Sequence, residues 1–356
     1  MESWRKKTLV FLLPIILYYI FKFIKSHFLI FVLVGNQILP RLPFECYKEL
    51  NPDIKDFATS DIKLLDEYDF VIVGAGSAGA VVANRLSENE SWKILLLEAG
   101  GEENILSEIP GLVFPAITSD FNWDYTTEPN DDNITSTNQI NGRVLWPRGK
   151  VLGGTSVLNG MIYVRGNKKD YESWEHQGNP GWGFENVLSY FKKSEDNRDE
   201  LLSADKQYHS TGGSLTVESP KGYHNVIVKT MKACKKILPD NSDCNGEKQT
   251  GCFHPQITRR NGRRCSTAKA FLKPKRKNMH VSPHSHVHKI VIDRVTKKAV
   301  GIIYKKSGKM KKITAKKEII LSAGVIGSPQ VFDLIVYLFL ISILSIIKII
   351  KTYIGE

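Results

Sequence analysis

A chain of 356 residues, 42% hydrophobic and 24% charged, can bury a large core and has the length of two domains, which excludes an intrinsically disordered protein. Its net charge of +12 is concentrated in local runs, Lys305 to Lys317 and Arg259 to Lys277, with no interleaved aromatics. These read as solvated faces of strands and turns, so no nucleic-acid partner is expected.

The N-terminus sets Arg5, Lys6 and Lys7 before an apolar run from Leu9 to Phe21, the charge-then-apolar order of a secretory signal. Lys22, Lys25 and His27 interrupt it before a second apolar patch, Phe28 to Val34. No small-x-small cleavage site follows, so residues 1–35 read either as a cleaved signal or as an uncleaved anchor, with 36–66 as a linker. Both readings put the globular part in the lumen or outside the cell. There the sequons Asn89-Glu90-Ser91 and Asn133-Ile134-Thr135 become relevant. Five cysteines (Cys46, Cys234, Cys244, Cys252, Cys265) are too few and too irregularly spaced for a zinc module or a disulfide framework, and an odd count leaves at least one without an intrachain partner.

The next segment, Tyr68 to Gly101, carries the strongest local pattern. Asp69 to Val73 predict a short buried strand, Ser77 to Ser87 a helix and Lys93 to Leu97 a second buried strand. Gly74, Gly76 and Gly79 fall at the strand-to-helix turn in G-x-G-x-x-G spacing. The first permits the tight turn, the second lets backbone approach a pyrophosphate, and Gly79 lets the helix pack closely on the strand. N–H groups at the helix start, with the helix dipole, then hold phosphate. Glu98 closes the second strand, where a carboxylate accepts hydrogen bonds from a ribose diol and disfavours a 2′-phosphate. The unit predicts a dinucleotide, NAD or FAD.

Further along, Trp146 to Glu175 reads WPRGKVLGGTSVLNGMIYVRGNKKDYESWE. Gly149, Gly153 and Gly154 leave backbone open to a flat ligand, and Thr155, Ser156 and Asn159 place short polar groups beside it. A tight structural corner explains the same residues. The segment also resembles the first signature of the glucose-methanol-choline (GMC) family of FAD-dependent oxidoreductases. The likeness continues in order through NWDYTTEP (Asn122 to Pro129), GRRCSTAKAFLKP (Gly262 to Pro274) and ILSAGVIGSPQ (Ile320 to Gln330), covering roughly Asp66 to Gln330. The chain looks like the insect branch of FAD/quinone glucose dehydrogenases.

The resemblance implies an α/β fold: a Rossmann-like FAD-binding domain with an interleaved α+β substrate domain, incomplete at the C-terminus. The family region would run over 67–330, with part of the substrate domain at about 167–253, where Gly212 to Glu218 reads as a turn into an alternating strand. The cofactor implied is FAD. Gly74, Gly76 and Gly79 would hold its pyrophosphate and Glu98 its ribose. Val151, Gly153, Gly154, Thr155 and Ser156 would follow it, Asn159, Gly160 and Met161 would approach the isoalloxazine ring, and the Val287 backbone would reach the adenine. The substrate would be a small alcohol or sugar, and the electron acceptor a quinone or oxygen. The strand around Val287 also carries His284, His286 and His288, alternating onto one face. No Cys or carboxylate ligand accompanies them and the neighbourhood is basic, so they read as exposed strand positions and no metal is expected.

In this family a histidine base removes the hydroxyl proton while the flavin accepts hydride. That histidine and its partner lie in a final segment with no counterpart here, so no catalytic residue is assigned. After Gln330 the family's pattern gives way to an apolar tail, residues 331–356. Leu334 to Ile350 reads as a membrane or interfacial helix, as a buried core helix, or as the kind of residues AT-rich noncoding sequence encodes. Residues 9–34 and 334–350 are the two candidate membrane contacts. An incomplete chain of this fold is also expected to leave apolar faces uncovered.

Overall fold

The computed structural model describes residues 63–129, 142–273 and 276–332, all within the compact unit Lys55–Glu356. The N-terminal segment, most of the linker, Cys46, Asn133 and the tail beyond 332 lie outside the described residues. No helix among the described residues is long and apolar enough to cross a membrane.

The first strand, β1 (Glu67–Val73), turns at Gly74 into α1 (Ser77–Leu86), which returns the chain to β2 (Ile94–Leu97), parallel to β1. Side chains of β2 alternate strictly: Ile94 and Leu96 enter one apolar cluster, Leu95 and Leu97 another. β1 alternates likewise at Phe70 and Ile72 against Val71 and Val73. A register shift between Tyr68 and Phe70, where β1 advances two residues against three of its partner strand at 315–318, puts Tyr68 on the Val71 side. Complete burial of all four β2 residues is what a central parallel strand covered on both faces requires.

After Gly101 the chain leaves the sheet through α2 (Ile105–Glu108), α3 (Val113–Ile117) and a 3-10 turn, Gly154–Val157. A stretch of short ladders and helices follows: β3 (Ile162–Tyr163), α4 (Lys168–His176), α5 (Phe184–Ser194), β4 (Glu195–Asn197), α6 (Glu200–Ser203), β5 (Leu215–Val217), α7 (Asn225–Cys234), β6 (Gln256–Ile257), β7 (Arg259–Arg260) and β8 (Arg263–Arg264). The chain then forms α8 (Thr267–Phe271) and rejoins the sheet at β9 (Met279–Ser282), parallel to β2. A meander ends it: β10 (His286–Ile292), β11 (Ala299–Lys306) and β12 (Lys309–Leu321), the last parallel to β1. Sheet order is β10-β11-β12-β1-β2-β9.

The interleaving expected from the resemblance is therefore present. Helices α1 and α8 cover one face of the parallel strands, with Ala80, Ala83, Ala268 and Phe271 against Phe70, Ile72 and Leu96. The meander folds over the other face, where Val287, Ile290, Ile302, Tyr304 and Ile313 pack with Val71, Val73, Leu95 and Leu97. That fold-over carries the start of β10 to the carboxyl ends of the parallel strands, where Val73 pairs with Leu97 and Leu321, and Leu97 with Ser282.

Several expectations are corrected. The Gly212 to Glu218 strand is three residues long, parallel to β4, and does not alternate: Thr216 and Val217 are both buried, because Thr216 Oγ1 donates to Asp196 Oδ2 at 3.1 Å. The lysines of β12 are solvated as expected, but Arg264 is fully buried. One disulfide does form, Cys234–Cys252, with Cα atoms 6.0 Å apart, while Cys244 and Cys265 are buried thiols. Spacing along the chain was a poor guide, because pairing depends on which Cα atoms the fold brings together. The bond closes a loop across a separation of 18 residues. Cys234→Ser is expected to lower stability by about 3 kcal/mol in thermal or denaturant unfolding, the chain-entropy value for such a loop.

Apolar side chains stand uncovered along one stretch, among them Ile162, Val164, Trp174, Trp182 and Tyr190.

Candidate cofactor site

A cavity of about 660 Å³ opens at the carboxyl ends of β1, β2 and β12. Ligands in open α/β sheets bind there because the turns leaving the strands present helix N-termini and free backbone. Two helices start at this edge, α1 and the helical residues 324–332.

Of the predicted residues, Gly74, Gly76, Glu98, Gly154, Thr155 and Val287 line the cavity. Gly74 has φ +95°, and Gly76 is the N-cap of α1 with extended backbone. A Cβ on Gly76 would meet only Gly154 Cα, at 4.0 Å, and one on Gly154 would lie 2.8 Å from Gly76 Cα. The two glycines face each other with bare backbone between them.

Glu98 ends β2 with a buried carboxyl group. Its Oε2 accepts from the Ala75 N–H and its Oε1 from the Gly100 N–H, each at 2.9 Å. Burial raises its pKa to about 7, against the N–H groups of Gly100 and Ala75, which pull it down.

The remaining predicted residues do not line the cavity. Gly79 is buried in α1 against Gly74. Val151 is fully buried and bridges Gly101. Gly153 holds φ +95° at the start of the 3-10 turn, and Ser156 Oγ donates to its carbonyl at 2.6 Å. Asn159 and Gly160 are exposed, with nothing within 4 Å of where a Gly160 Cβ would stand. Met161 is buried at φ 62°.

All three histidines are exposed and alternate with buried Pro283, Ser285 and Val287, as expected, but only two of them are strand positions. His284 precedes the strand at φ 53° and lies against Gly101. His286 and His288 stand on β10 and line the cavity, their rings 4.8 Å apart. The alternation runs through His288 and ends at a bulge between Val287 and Lys289, where His288 and Lys289 are both exposed. Burial, the neighbouring His288 and the charges of Lys150 and Lys305 lower the pKa of His286.

Residue reasoning assigned no role to the aromatic wall. Trp123 and Tyr125 line the cavity with stacked rings, 5.8 Å apart and 4° from parallel, and His286 packs 5.5 Å from Trp123. Strand period was no signal for Trp123 and Tyr125, because Asp124 between them is left-handed, with φ 54°. The two residues are held by the Trp123 N–H bond to Arg148 O at 2.9 Å and the Trp146 N–H bond to Tyr125 O at 2.8 Å. Arg264 was also missed. Its Nη1 donates to Ser156 O at 3.1 Å and to Asn159 Oδ1 at 2.9 Å, and its Nε donates to Ser107 O at 2.9 Å, so it ties the 3-10 turn to α2 from behind.

Phosphate-accessible backbone, two helix starts, a buried acid at the end of β2 and an aromatic wall suit a flat dinucleotide, and the volume lies in the range of cofactor pockets. Comparison with known proteins agrees. Residues 68–334 match the family model described as GMC oxidoreductase. The chain is 46% identical over 268 residues to glucose dehydrogenase (FAD, quinone) of Drosophila pseudoobscura pseudoobscura, covering 74% of this chain and 42% of that protein. It is 38% identical over 276 residues to alcohol dehydrogenase (acceptor) of Pseudomonas putida, covering 75% and 48%. Pyridoxine 4-oxidase from Mesorbium loti has the same fold, with a TM-score of 0.67 at 29% identity over 74% of this chain and 50% of that one. The chain spans about half the length of these proteins or less. GMC oxidoreductases are FAD-dependent, and with the family model matching residues 68–334 this chain belongs to the GMC oxidoreductase family.

Proposed function

We propose that the chain holds FAD in the cavity and serves hydride abstraction from the CH–OH group of a small alcohol or sugar. The observation that carries this is the facing of Gly76 and Gly154 across a cavity that also takes in Glu98 and Val287. When bound, FAD supplies the hydride acceptor. N–H groups at the start of α1 hold the pyrophosphate, Glu98 accepts from the ribose hydroxyls, and the backbone of Val287, beside the Trp123 wall, meets the adenine. Gly153 and Ser156 shape the 3-10 corner along which the cofactor runs. Asn159, Gly160 and Met161 would approach the isoalloxazine ring, and Asn159 Oδ1 accepts from both Arg264 Nη1 and the Met161 N–H. The base is assigned to no residue of this chain, and a quinone or oxygen would reoxidise the flavin.

The basic-then-apolar N-terminus and the Cys234–Cys252 bond support a lumenal or extracellular globular part, secreted or anchored through 9–34, because such bonds persist in oxidising compartments. A second reading is a membrane-associated, non-catalytic dinucleotide-binding protein. It is favoured by the exposure of Asn159, Gly160 and Ile162, which leaves the isoalloxazine end open to water.

Purification of the full chain with FAD, followed by anaerobic addition of alcohols and sugars, tests both. Retained yellow flavin that bleaches supports the first reading, and retained flavin that does not bleach supports the second. Retention of NAD in place of flavin overturns the first, and retention of neither dinucleotide overturns both. Glu98→Gln is expected to weaken FAD binding by tenfold or more in a fluorescence titration. It also puts an amide N–H₂ against the donors of Ala75 or Gly100, at a stability cost of about 1–3 kcal/mol.

A further inference from the structure

The sequon Asn89-Glu90-Ser91 takes no part in the cofactor site. Its three residues are exposed in the turn that follows α1. The backbone of that turn is fixed: the Asn89 N–H donates to Leu86 O at 3.3 Å, and the Asn89 carbonyl accepts from the Trp92 N–H at 3.2 Å and from Asn278 Nδ2 at 2.9 Å.

The side chain is oriented as well. Asn89 Oδ1 accepts from the Ser91 N–H at 3.1 Å and from Ser91 Oγ at 2.7 Å, an Asx turn closed by the sequon's own hydroxyl. With the carbonyl oxygen engaged by Ser91, the amide nitrogen faces solvent, and among the described residues no group takes its Nδ2. The cavity lies at the other end of α1, a helix of 10 residues and hence roughly 15 Å away along its axis. A bulky group on Asn89 would therefore leave the cofactor site clear. The disulfide independently points to an oxidising compartment.

We infer that Asn89 Nδ2 is the acceptor of an N-linked glycan in the secretory lumen, an inference that rests on the lumenal reading above. The donor is an oligosaccharide on a polyprenyl diphosphate lipid. The sugar C1–O bond to the diphosphate breaks, a C1–Nδ2 bond forms, one amide proton is lost and the lipid diphosphate leaves, with no change of oxidation state.

The test is translation of the full chain in the presence of microsomes, for the parent and for Asn89→Gln, Ser91→Ala and Ser91→Thr, with endoglycosidase digestion and protease protection read in parallel. The parent is expected to carry one glycan more than Asn89→Gln and Ser91→Ala, removable by endoglycosidase, while Ser91→Thr retains it. A protected chain whose glycan mass is unchanged in Asn89→Gln and Ser91→Ala overturns the inference alone. A chain degraded by protease and bearing no glycan overturns the lumenal reading with it. Neither outcome alters the flavin titration, which stands or falls separately.

Discussion

Gly79→Ala is expected to destabilise the protein by about 3 kcal/mol and to abolish measurable FAD retention, whereas Gly76→Ala leaves the FAD-free protein as stable as its parent and weakens only the binding. The difference comes from what each new Cβ would meet. At Gly79 it would stand 1.9 Å from Gly74 O and 2.7 Å from Ser322 Oγ. The first of these is backbone in the turn itself, so relief requires α1 to move off β1, an overpacking cost at the upper end of the usual 1–3 kcal/mol. At Gly76 the backbone is extended, with φ −70°, and the nearest atom is at 4.0 Å, an ordinary contact. The unliganded fold is therefore expected to change by less than about 0.5 kcal/mol. The same methyl group projects towards Gly154, where the phosphates must approach. A tenfold or greater rise in Kd follows, about 1.4 kcal/mol. Denaturant unfolding without FAD and flavin fluorescence titration separate the two effects. If Gly76→Ala bound FAD as the parent does, the pyrophosphate would not cross this turn.

The second large effect concerns buried charge far from the cavity in sequence. Arg165 and Glu195 are fully buried and 2.9 Å apart. His209, also fully buried, bonds Glu195 Oε1 through Nδ1 at 3.1 Å and Asp243 Oδ2 through Nε2 at 2.7 Å. Arg165 Nη1 further donates to Tyr208 O, and the Ser210 N–H to Glu195 Oε2. Two cations and two carboxylates thus neutralise each other inside the short-ladder region. Glu195→Ala is expected to cost about 3–5 kcal/mol, because it leaves Arg165 and His209 facing each other without the shared anion.

The same cluster sets a pH dependence. Burial pulls the pKa of His209 down, but the bonds to Asp243 and Glu195 outweigh it and raise the pKa to about 9. A histidine whose folded pKa is raised contributes stability that is complete below its unfolded pKa, about 6.5, and that is lost as pH rises through the folded value. Stability should therefore decline by about 3 kcal/mol between pH 6.5 and 9. Unfolding curves across that range check it. His209→Gln should flatten this window, and a decline that persisted unchanged in the variant would assign the effect to another group.

Much of this was legible in the residues. The βαβ unit was, because a buried strand, a glycine turn and an amphipathic helix are local features, each set by side-chain period and by backbone freedom at a few positions. Glu98 could be placed because a strand of known length ends at a known residue. The cavity wall was not legible. Trp123 and His286 are more than 160 positions apart, and only the folding of the meander over the parallel strands brings their rings to 5.5 Å. The exposure of His284, His286 and His288 between buried neighbours was legible from period, but not that His284, at φ 53°, precedes the strand or that His286 and His288 line the cavity.

The sequence by itself determined the family, the FAD requirement that comes with it and the glycine turn, since these rest on residue types at short fixed spacing. Only the tertiary structure decided which of the thirteen predicted cofactor residues line one cavity and which support it from behind, because that depends on the side of the backbone each one faces. It alone also paired Cys234 with Cys252 and gathered Arg165, Glu195, His209 and Asp243 into a neutral buried cluster. Disulfides and buried charges are selected by distance in space, and a pairing across 18, 30 or 34 positions leaves no periodic trace along the chain.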